Sequence, residues 1–334
     1  MALPMFIDWI SVRQEYPCGG LPVINDGNVL WLDADGTVER TKLAHMQFDG
    51  SYDTRISIRC DGSRVELSGN VGRFSRRDNL FGYDFETCIA RCNEVLNLWN
   101  LPPFTRGQFN RFADSGWCWT GAVVTRLDLT LNYATGSPQA LEAFIKAMAG
   151  HHVGRQKGRL SIDGMTVEYG AGSKYVYAKL YCKGAELRKH MKKKAGAHVD
   201  ADVLDFAERL GTVREEIELK SRFLTQNGLR YLGEITHAKL LEVYMARSQV
   251  QRLNEVKFDT FENMPRRLKA TYASWKLGMT NDITRATWYR HRTQLLEYGI
   301  DISVPCNVHA LPIRVRTVEL AMLEAPDWYW KKSA

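Results

Sequence analysis

Val123-Val124-Thr125-Arg126-Leu127-Asp128-Leu129-Thr130-Leu131 alternates apolar and polar residues along most of its length. Strand side chains point to opposite faces with period two. Leu127, Leu129 and Leu131 therefore point one way, and Arg126, Asp128 and Thr130 the other. Two further segments repeat the pattern. Tyr175 to Lys183 (YVYAKLYCK) sets Val176, Ala178, Leu180 and Cys182 against Tyr177, Lys179, Tyr181 and Lys183. Thr212 to Lys220 (TVREEIELK) sets Val213, Ile217 and Leu219 against Arg214, Glu216 and Glu218, with Glu215 breaking the apolar row. On a shared sheet, one face would gather carboxylates, cations and a tyrosine. Metal-assisted attack on a phosphodiester needs those groups. The plain alternative is a solvated outer face, common in antiparallel sheets. Arg-x-Asp and Arg-x-Glu embedded in otherwise apolar strands weigh against it, but the pattern alone leaves both readings open.

The surrounding sequence places these strands. A first strand is expected over Phe6 to Val12. Arg55–Cys60 and Ser63–Ser68 flank Asp61-Gly62, a strong hairpin signal, and put Glu66 on a polar side with Arg64 and Ser68. Phe85 to Trp99 carries Phe85, Ile89, Leu96 and Trp99 at helical spacing, after a basic loop with Arg73, Arg76 and Arg77. Ser137-Pro138 reads as an N-cap followed by an N1 proline, opening a helix that ends at Gly150. Strands at about 159–169 and 174–183 follow. Next come a basic helical stretch (ELRKHMKKK), a helix from Asp202 to Leu210 and the Thr212 strand. Strand–helix–strand–strand–helix–strand is the order of a ferredoxin-like α+β layer.

After about residue 245 the chain turns helical and rich in arginine and aromatics. This gives an expected division into a catalytic unit, 1–245, and a helical region, 246–334. Arg266–Leu277 and Thr284–Tyr298 read as two helices spaced like a helix-turn-helix. Arg285, Arg290 and Arg292 lie on the second. An ordinary helical hairpin with a solvated basic face fits equally well.

Composition narrows the function classes. The 334 residues carry a formal charge of +7 with pI about 9.0, which suits a polyanionic partner. No apolar run approaches the ~20 residues that cross a bilayer. The opening MALPMFIDWISV lacks a basic leader and holds Asp8 inside its apolar stretch, so no signal peptide is expected. The seven cysteines are scattered without a Cys-x-x-Cys pair, as in a reducing cytosol and without a structural zinc site. Gly170-Ala171-Gly172-Ser173-Lys174 lacks the spacing and following helix of a phosphate-binding loop and reads as a hairpin turn.

Several motifs together resemble the replication initiation proteins of filamentous bacteriophages, the phage replication II/X family. They are Ile7-Asp8, Val65-Glu66, Asn79-Leu80-Phe81-Gly82, Thr125-Arg126-Leu127-Asp128, Tyr181-Cys182-Lys183-Gly184-Ala185-Glu186-Leu187 and Val213-Arg214-Glu215-Glu216. Thr287-Trp288-Tyr289-Arg290 and Pro326-Asp327-Trp328-Tyr329 complete the series. The Arg-x-Asp, Tyr-x-Lys-x-x-Glu-Leu and Arg-x-Glu run is also similar to plasmid rolling-circle initiators. The resemblance implies an origin-specific enzyme that nicks and rejoins DNA through a 5′-phosphotyrosine, in the cytoplasm of a bacterial host. Implied partners are single- and double-stranded origin DNA, with host helicase and polymerase. The His-hydrophobic-His metal pair of other rolling-circle nickases is missing. His151 and His152 are adjacent and would point to opposite sides of a strand. Carboxylates would then hold the metal, favouring Mg²⁺ or Mn²⁺ over zinc.

Under this resemblance Tyr181 is the nucleophile, with Tyr175 and Tyr177 as alternatives. Lys183 supplies positive charge, and Glu186 orients it or caps the following helix. Asp128 and Glu216 are metal ligands, with Glu66 a third. Arg126, Arg76, Arg77, Lys192, Lys193, Lys194, Arg285, Arg290 and Arg292 are expected to contact DNA, with Lys189 on the same basic ridge. Two other functions fit part of the pattern: a non-enzymatic DNA-binding regulator, and a metal-dependent nuclease using water. The regulator leaves Tyr181 and the carboxylate strands without a role.

Overall fold

The structure is a computed structural model. It describes residues 4–331 except 26, 44–45, 50–54, 75, 113–115, 151, 154–155, 194–198, 252–264, 280–282, 298–301 and 304–319. The fold is α+β, built on one large antiparallel sheet. Its main strands are β1 (Phe6–Glu15), β2 (Val23–Ile24), β3 (Arg55–Asp61), β4 (Arg64–Gly69) and β5 (Val123–Ala134). They continue with β6 (Arg159–Leu160), β7 (Thr166–Tyr169), β8 (Val176–Cys182) and β9 (Thr212–Lys220). Across the sheet they run β6-β7-β8-β9-β5-β1-β4-β3-β2. The three decisive segments, β5, β8 and β9, are direct neighbours.

Local chemistry fixes the elements much as the residues imply. The Asp61 carboxylate accepts from the Ser63 and Arg64 amides at 3.0 and 2.7 Å, closing the β3–β4 hairpin. Gly62 there takes φ +98°, a conformation costly for any side chain. Helix α1 (Phe85–Asn97) is capped by Asp84, and α2 (Pro138–Gly150) by Ser137, whose hydroxyl accepts from the Ala140 amide at 3.1 Å. Residues 170–174 form the expected turn, with Gly170 and Gly172 at positive φ.

The chain order of the β5–β9 unit is the expected one, but its order in space is β7-β8-β9-β5 rather than that of a split βαβ layer. Two helices, α3 (Lys183–Lys193) and α4 (Ala201–Arg209), separate β8 from β9 and pack on each other. An even number of helices returns the chain to the end of the sheet it left. β9 therefore runs antiparallel beside β8.

The apolar rows of β5, β8 and β9 share one core with Phe85 and Ile89 of α1 and Leu141, Phe144 and Met148 of α2. Glu215, the interruption in that row, is fully buried among them. Its carboxylate accepts from Tyr244 Oη at 2.7 Å, Ser248 Oγ at 2.5 Å and the amides of Gln249 and Val250. It thus ties α6 (His237–Arg247), which follows the short α5 (Ser221–Gln226), and the helical turn after it to the sheet. Glu215→Ala should strand these donors and destabilise the fold by about 3–5 kcal/mol, read as a drop in urea midpoint. An unchanged midpoint would make the carboxylate incidental.

Helices α7 (Arg266–Lys276) and α8 (Arg285–Glu297) form the expected pair. They are joined through Leu268, Leu295 and Ile302, with Thr271 Oγ1 and His291 Nδ1 2.8 Å apart. The segment between them spans residues 277–284, longer than the three- or four-residue turn of a helix-turn-helix. The end of the chain does not stay with this pair. Ala321–Met322 pairs with Ala134 and Tyr133 of β5. Tyr329, in the short helix α9 (Asp327–Lys331), is buried with Leu80, Phe81, Leu187 and Val203. Residues 321–331, within the expected 246–334 region, thus make contacts with the sheet and with the loop at Leu80 and Phe81.

Candidate active site

The polar face of the sheet is built by register. Glu216 of β9 lies opposite Thr130 of β5 and Lys179 of β8, Glu218 opposite Asp128 and Tyr177, and Arg214 opposite Asn132 and Tyr181. On the other side of β5, Ile7 pairs with Leu129 and Trp9 with Asp128, leaving Asp8 as the extra residue of a bulge. A bulge re-aims side chains. Here it brings Asp8 to Asn70, Asn79 and Arg214.

At the centre, Tyr181 Oη donates to Glu216 Oε1 at 2.5 Å. Lys179 Nζ reaches the other oxygen of Glu216 at 2.6 Å. The ammonium groups of Lys179 and Lys183 stand 5.0 and 5.9 Å from the Tyr181 ring centroid. Arg214, fully buried, spans Glu216 and Asp8 with Nη1 at 3.9 and 3.7 Å. Its other nitrogens donate to Asn132 Oδ1 and to the carbonyls of Asn79 and Leu80. Nη1 itself has no hydrogen-bond partner within range among the described residues. Asp128 is gripped by both nitrogens of the Arg126 fork, at 2.8 and 2.6 Å.

Burial sets the titration of this cluster. It pushes Asp128 up to about 7 against the pull of Arg126, and raises Asp8, with Glu216 adding repulsion. Burial also opposes ionisation of Glu216, but Lys179 and Arg214 outweigh it and hold that carboxyl below its ordinary value. The Tyr181 hydroxyl lies well above the ordinary phenol range, through burial and the Glu216 charge. Lys183 is lowered by burial and by Arg214. An anionic carboxylate thus faces a protonated phenol within hydrogen-bond reach, the geometry of a base and its nucleophile.

Asp8, Asp128 and Glu216 are carboxylates that repel one another across this face, and a hard divalent cation is the kind of charge that would relieve the repulsion. As placed, Asp128 is paired with Arg126 and Glu216 with Lys179 and Tyr181. Among the described residues no three His, Cys, Asp or Glu side chains are already drawn together as ligands. A metal would therefore compete with those ion pairs.

Several expected site residues stand elsewhere. Lys183 is not on the strand. It opens α3, is fully buried, and donates to Asn79 Oδ1 at 2.7 Å and Glu186 Oε2 at 2.6 Å. Glu66 does not join the carboxylates. It lies between Arg13 and Arg59 on β4, in an open groove with Ser11, Ser57 and Ser68. Arg76 is no surface contact. Buried, it donates to the Phe81 carbonyl and to Tyr329 Oη and stacks on Tyr83, Tyr329 and Trp330. Arg126 is committed to Asp128 and Glu218 and covers the Trp9 ring at 5.0 Å. Tyr177 donates to Glu168 at 2.7 Å, and Tyr175 packs edge-on against buried Phe223. Arg77, Arg285 and Arg290 are exposed, and Arg292 lies against Trp288. Lys189 pairs with Asp163. Lys192 and Lys193 end α3, and Lys194 and His151 lie outside the described residues.

The strand pattern contained Lys179, Arg214 and Glu218 without singling them out. Asp8 was missed as a site acid, although an acid inside Phe6-Ile7-Asp8-Trp9-Ile10 is the sequence signature of such a position. Asn79 stands in the Asn79-Leu80-Phe81-Gly82 motif, but no strand or helix period marks it as a site residue, since its place depends on Tyr329 holding its loop from the far end of the chain. Tyr329 Oη donates to Asp78 at 2.6 Å and accepts from the Phe81 amide at 2.9 Å.

Residues 6–238 match the N-terminal family of the phage replication-associated proteins, and residues 260–334 match the C-terminal family of the same proteins. The chain belongs to the phage replication-associated protein family. The replication-associated protein of Escherichia phage If1 is 28% identical over 316 residues, spanning 83% of this chain and 98% of that protein. Its counterpart in Enterobacteria phage I2-2 is 28% identical over 350 residues, spanning 97% and 96%. A solved rolling-circle replication initiator from Geobacillus stearothermophilus aligns over 66% of this chain and 75% of that one, at 14% identity and a TM-score of 0.24. At that score it adds nothing to the fold described above. The N-terminal family match covers the strands that build the candidate site. Among the described residues, no helix is long and apolar enough to cross a membrane.

Proposed function

We propose that this replication-associated protein initiates rolling-circle replication of phage DNA in its bacterial host by nicking and rejoining one strand at the origin. The observation that carries the reading is the Tyr181–Glu216 contact beside half-buried Lys179 and the buried cations Lys183 and Arg214. Tyr181 Oη attacks the scissile phosphorus while its proton passes to Glu216. The new O–P bond forms as the bond to the 3′-oxygen breaks, and that oxygen takes a proton from water. The products are a 5′-phosphotyrosine and a free 3′-hydroxyl primer. Attack in reverse by a 3′-hydroxyl reseals the strand without a nucleotide cofactor.

Lys179 and Arg214 balance charge as it builds on the phosphate, and Arg214 Nη1 offers a donor not already used. Lys183, with Asn79 and Glu186, holds the positive end of the site in place. Asp8, Asp128 and Glu216 are the residues that would hold Mg²⁺ or Mn²⁺, which would neutralise a non-bridging oxygen. The exposed Arg285 and Arg290 are the duplex contacts this reading favours.

The test is incubation of the full chain with supercoiled DNA carrying the cognate origin and Mg²⁺, followed by denaturation and protease mapping. A tyrosine-linked 5′-phosphate is the expected product. Nicked circles without any covalent adduct would point to water as nucleophile. Binding without nicking would leave a regulator.

A further inference from the structure

The hairpin that precedes β5 pairs Phe109–Phe112 with Gly116–Trp119. Phe109 lies opposite Trp119 and Arg111 opposite Trp117. Alternation therefore brings Phe109, Arg111, Trp117 and Trp119 to one face. The Phe109 and Trp117 rings stack with centroids 5.4 Å apart and planes 22° apart, and Trp119 stands 5.5 Å from Phe109. Even so, Phe109 is 52% exposed and Trp117 63%. Clustered aromatic surface left in water marks an interaction site.

The root of the hairpin is firmly set. Gly107 takes φ +69°, and a Cβ there would collide with the Gly121 backbone. Trp119 lies against Gly233, where any side chain would overlap its ring. Arg106 donates to the carbonyls of Leu232 and Ile235. One end of the aromatic row is fastened to the body of the protein while the other stands open.

We propose that this face is a stacking platform for unpaired bases of single-stranded DNA. The proposal rests on the reading that the chain initiates rolling-circle replication, in which one strand is displaced as single-stranded DNA. Every base has a π-face, so an aromatic row binds single strand with little regard to sequence. Exposed Arg111 adds the positive charge that a polyanion requires, and a second π-stacking plane.

The experiment uses the full chain and fluorescence anisotropy with two probes of equal length, an oligo-dT and an abasic strand carrying the same phosphates. The wild type should prefer the oligo-dT. Phe109→Ala and Trp117→Ala should each weaken oligo-dT binding roughly tenfold and leave the abasic strand unaffected, with unchanged melting temperature. Trp117→Phe should restore the preference, and Trp117→Leu should not. Tyrosine-linked adducts should still form in these variants at saturating oligonucleotide. Wild-type affinity in both alanine variants would overturn the platform while leaving the nickase reading intact. Rescue by Trp117→Leu would overturn it too and make the patch an apolar docking surface for protein. A wild type that binds neither strand and forms no adduct would defeat the functional reading itself.

Discussion

Tyr181→Phe should abolish the covalent protein–DNA adduct and cut nicking by about 10³-fold or more, the scale of removing a nucleophile. Origin binding should stay close to wild type. The substitution deletes one hydroxyl from a side chain that already fills its place on the sheet. It takes one donor from Glu216 Oε1 but leaves Lys179 on Oε2 and Arg214 nearby. The stability cost should be about 0.5–1.5 kcal/mol, that of an ordinary hydrogen bond. Unfolding is thus not the expected cause of lost activity, and matching denaturation midpoints would confirm it. The neighbouring tyrosines serve as internal controls. Tyr177 bonds to Glu168 and Tyr175 packs on Phe223, so neither faces Glu216 in the same way. Full adduct formation by Tyr181→Phe would move the nucleophile to one of them.

Period-two alternation carried most of this site into view. It put Asp128, Tyr181 and Glu216 on one face, and register then set Asp128 opposite Glu218 and Tyr181 opposite Arg214, each diagonal to Glu216. It failed wherever the backbone departs from the period. Asp8 sits at a bulge, and Lys183 has already left its strand for a helix. Arg76 looked like part of a basic loop because sequence shows charge but not burial. Its partners Tyr83, Tyr329 and Trp330 include two from the far end of the chain. The same long-range return brings residues 321–322 onto β5 and Tyr329 against Leu80 and Phe81. Short pairing with β5 and the Tyr329 contacts carry no local pattern. Glu215, by contrast, broke the apolar row visibly. Its meaning became clear only with the hydroxyls and amides of residues 244–250 around it.

Glu216→Gln should slow nicking by about 10²–10⁴-fold, the range of a lost general base. Glutamine keeps an oxygen to accept from Tyr181 but cannot take up its proton. The charge balance changes as well: Lys179 loses its carboxylate partner and Arg214 one of two nearby anions. If Glu216 serves as base, the variant's residual rate should depend on Mg²⁺ concentration as the wild type does. If it is mainly a ligand, the variant should need far more Mg²⁺ and recover with excess. Asp128→Asn supplies the comparison, because Asp128 is paired with Arg126 and makes no contact with the Tyr181 hydroxyl among the described hydrogen bonds. Its loss should appear as a raised metal requirement rather than a metal-independent fall in rate. EDTA should silence wild type and both variants alike. Wild-type rates in Glu216→Gln at all metal concentrations would remove the carboxylate from the reaction and reduce the Tyr181 contact to packing.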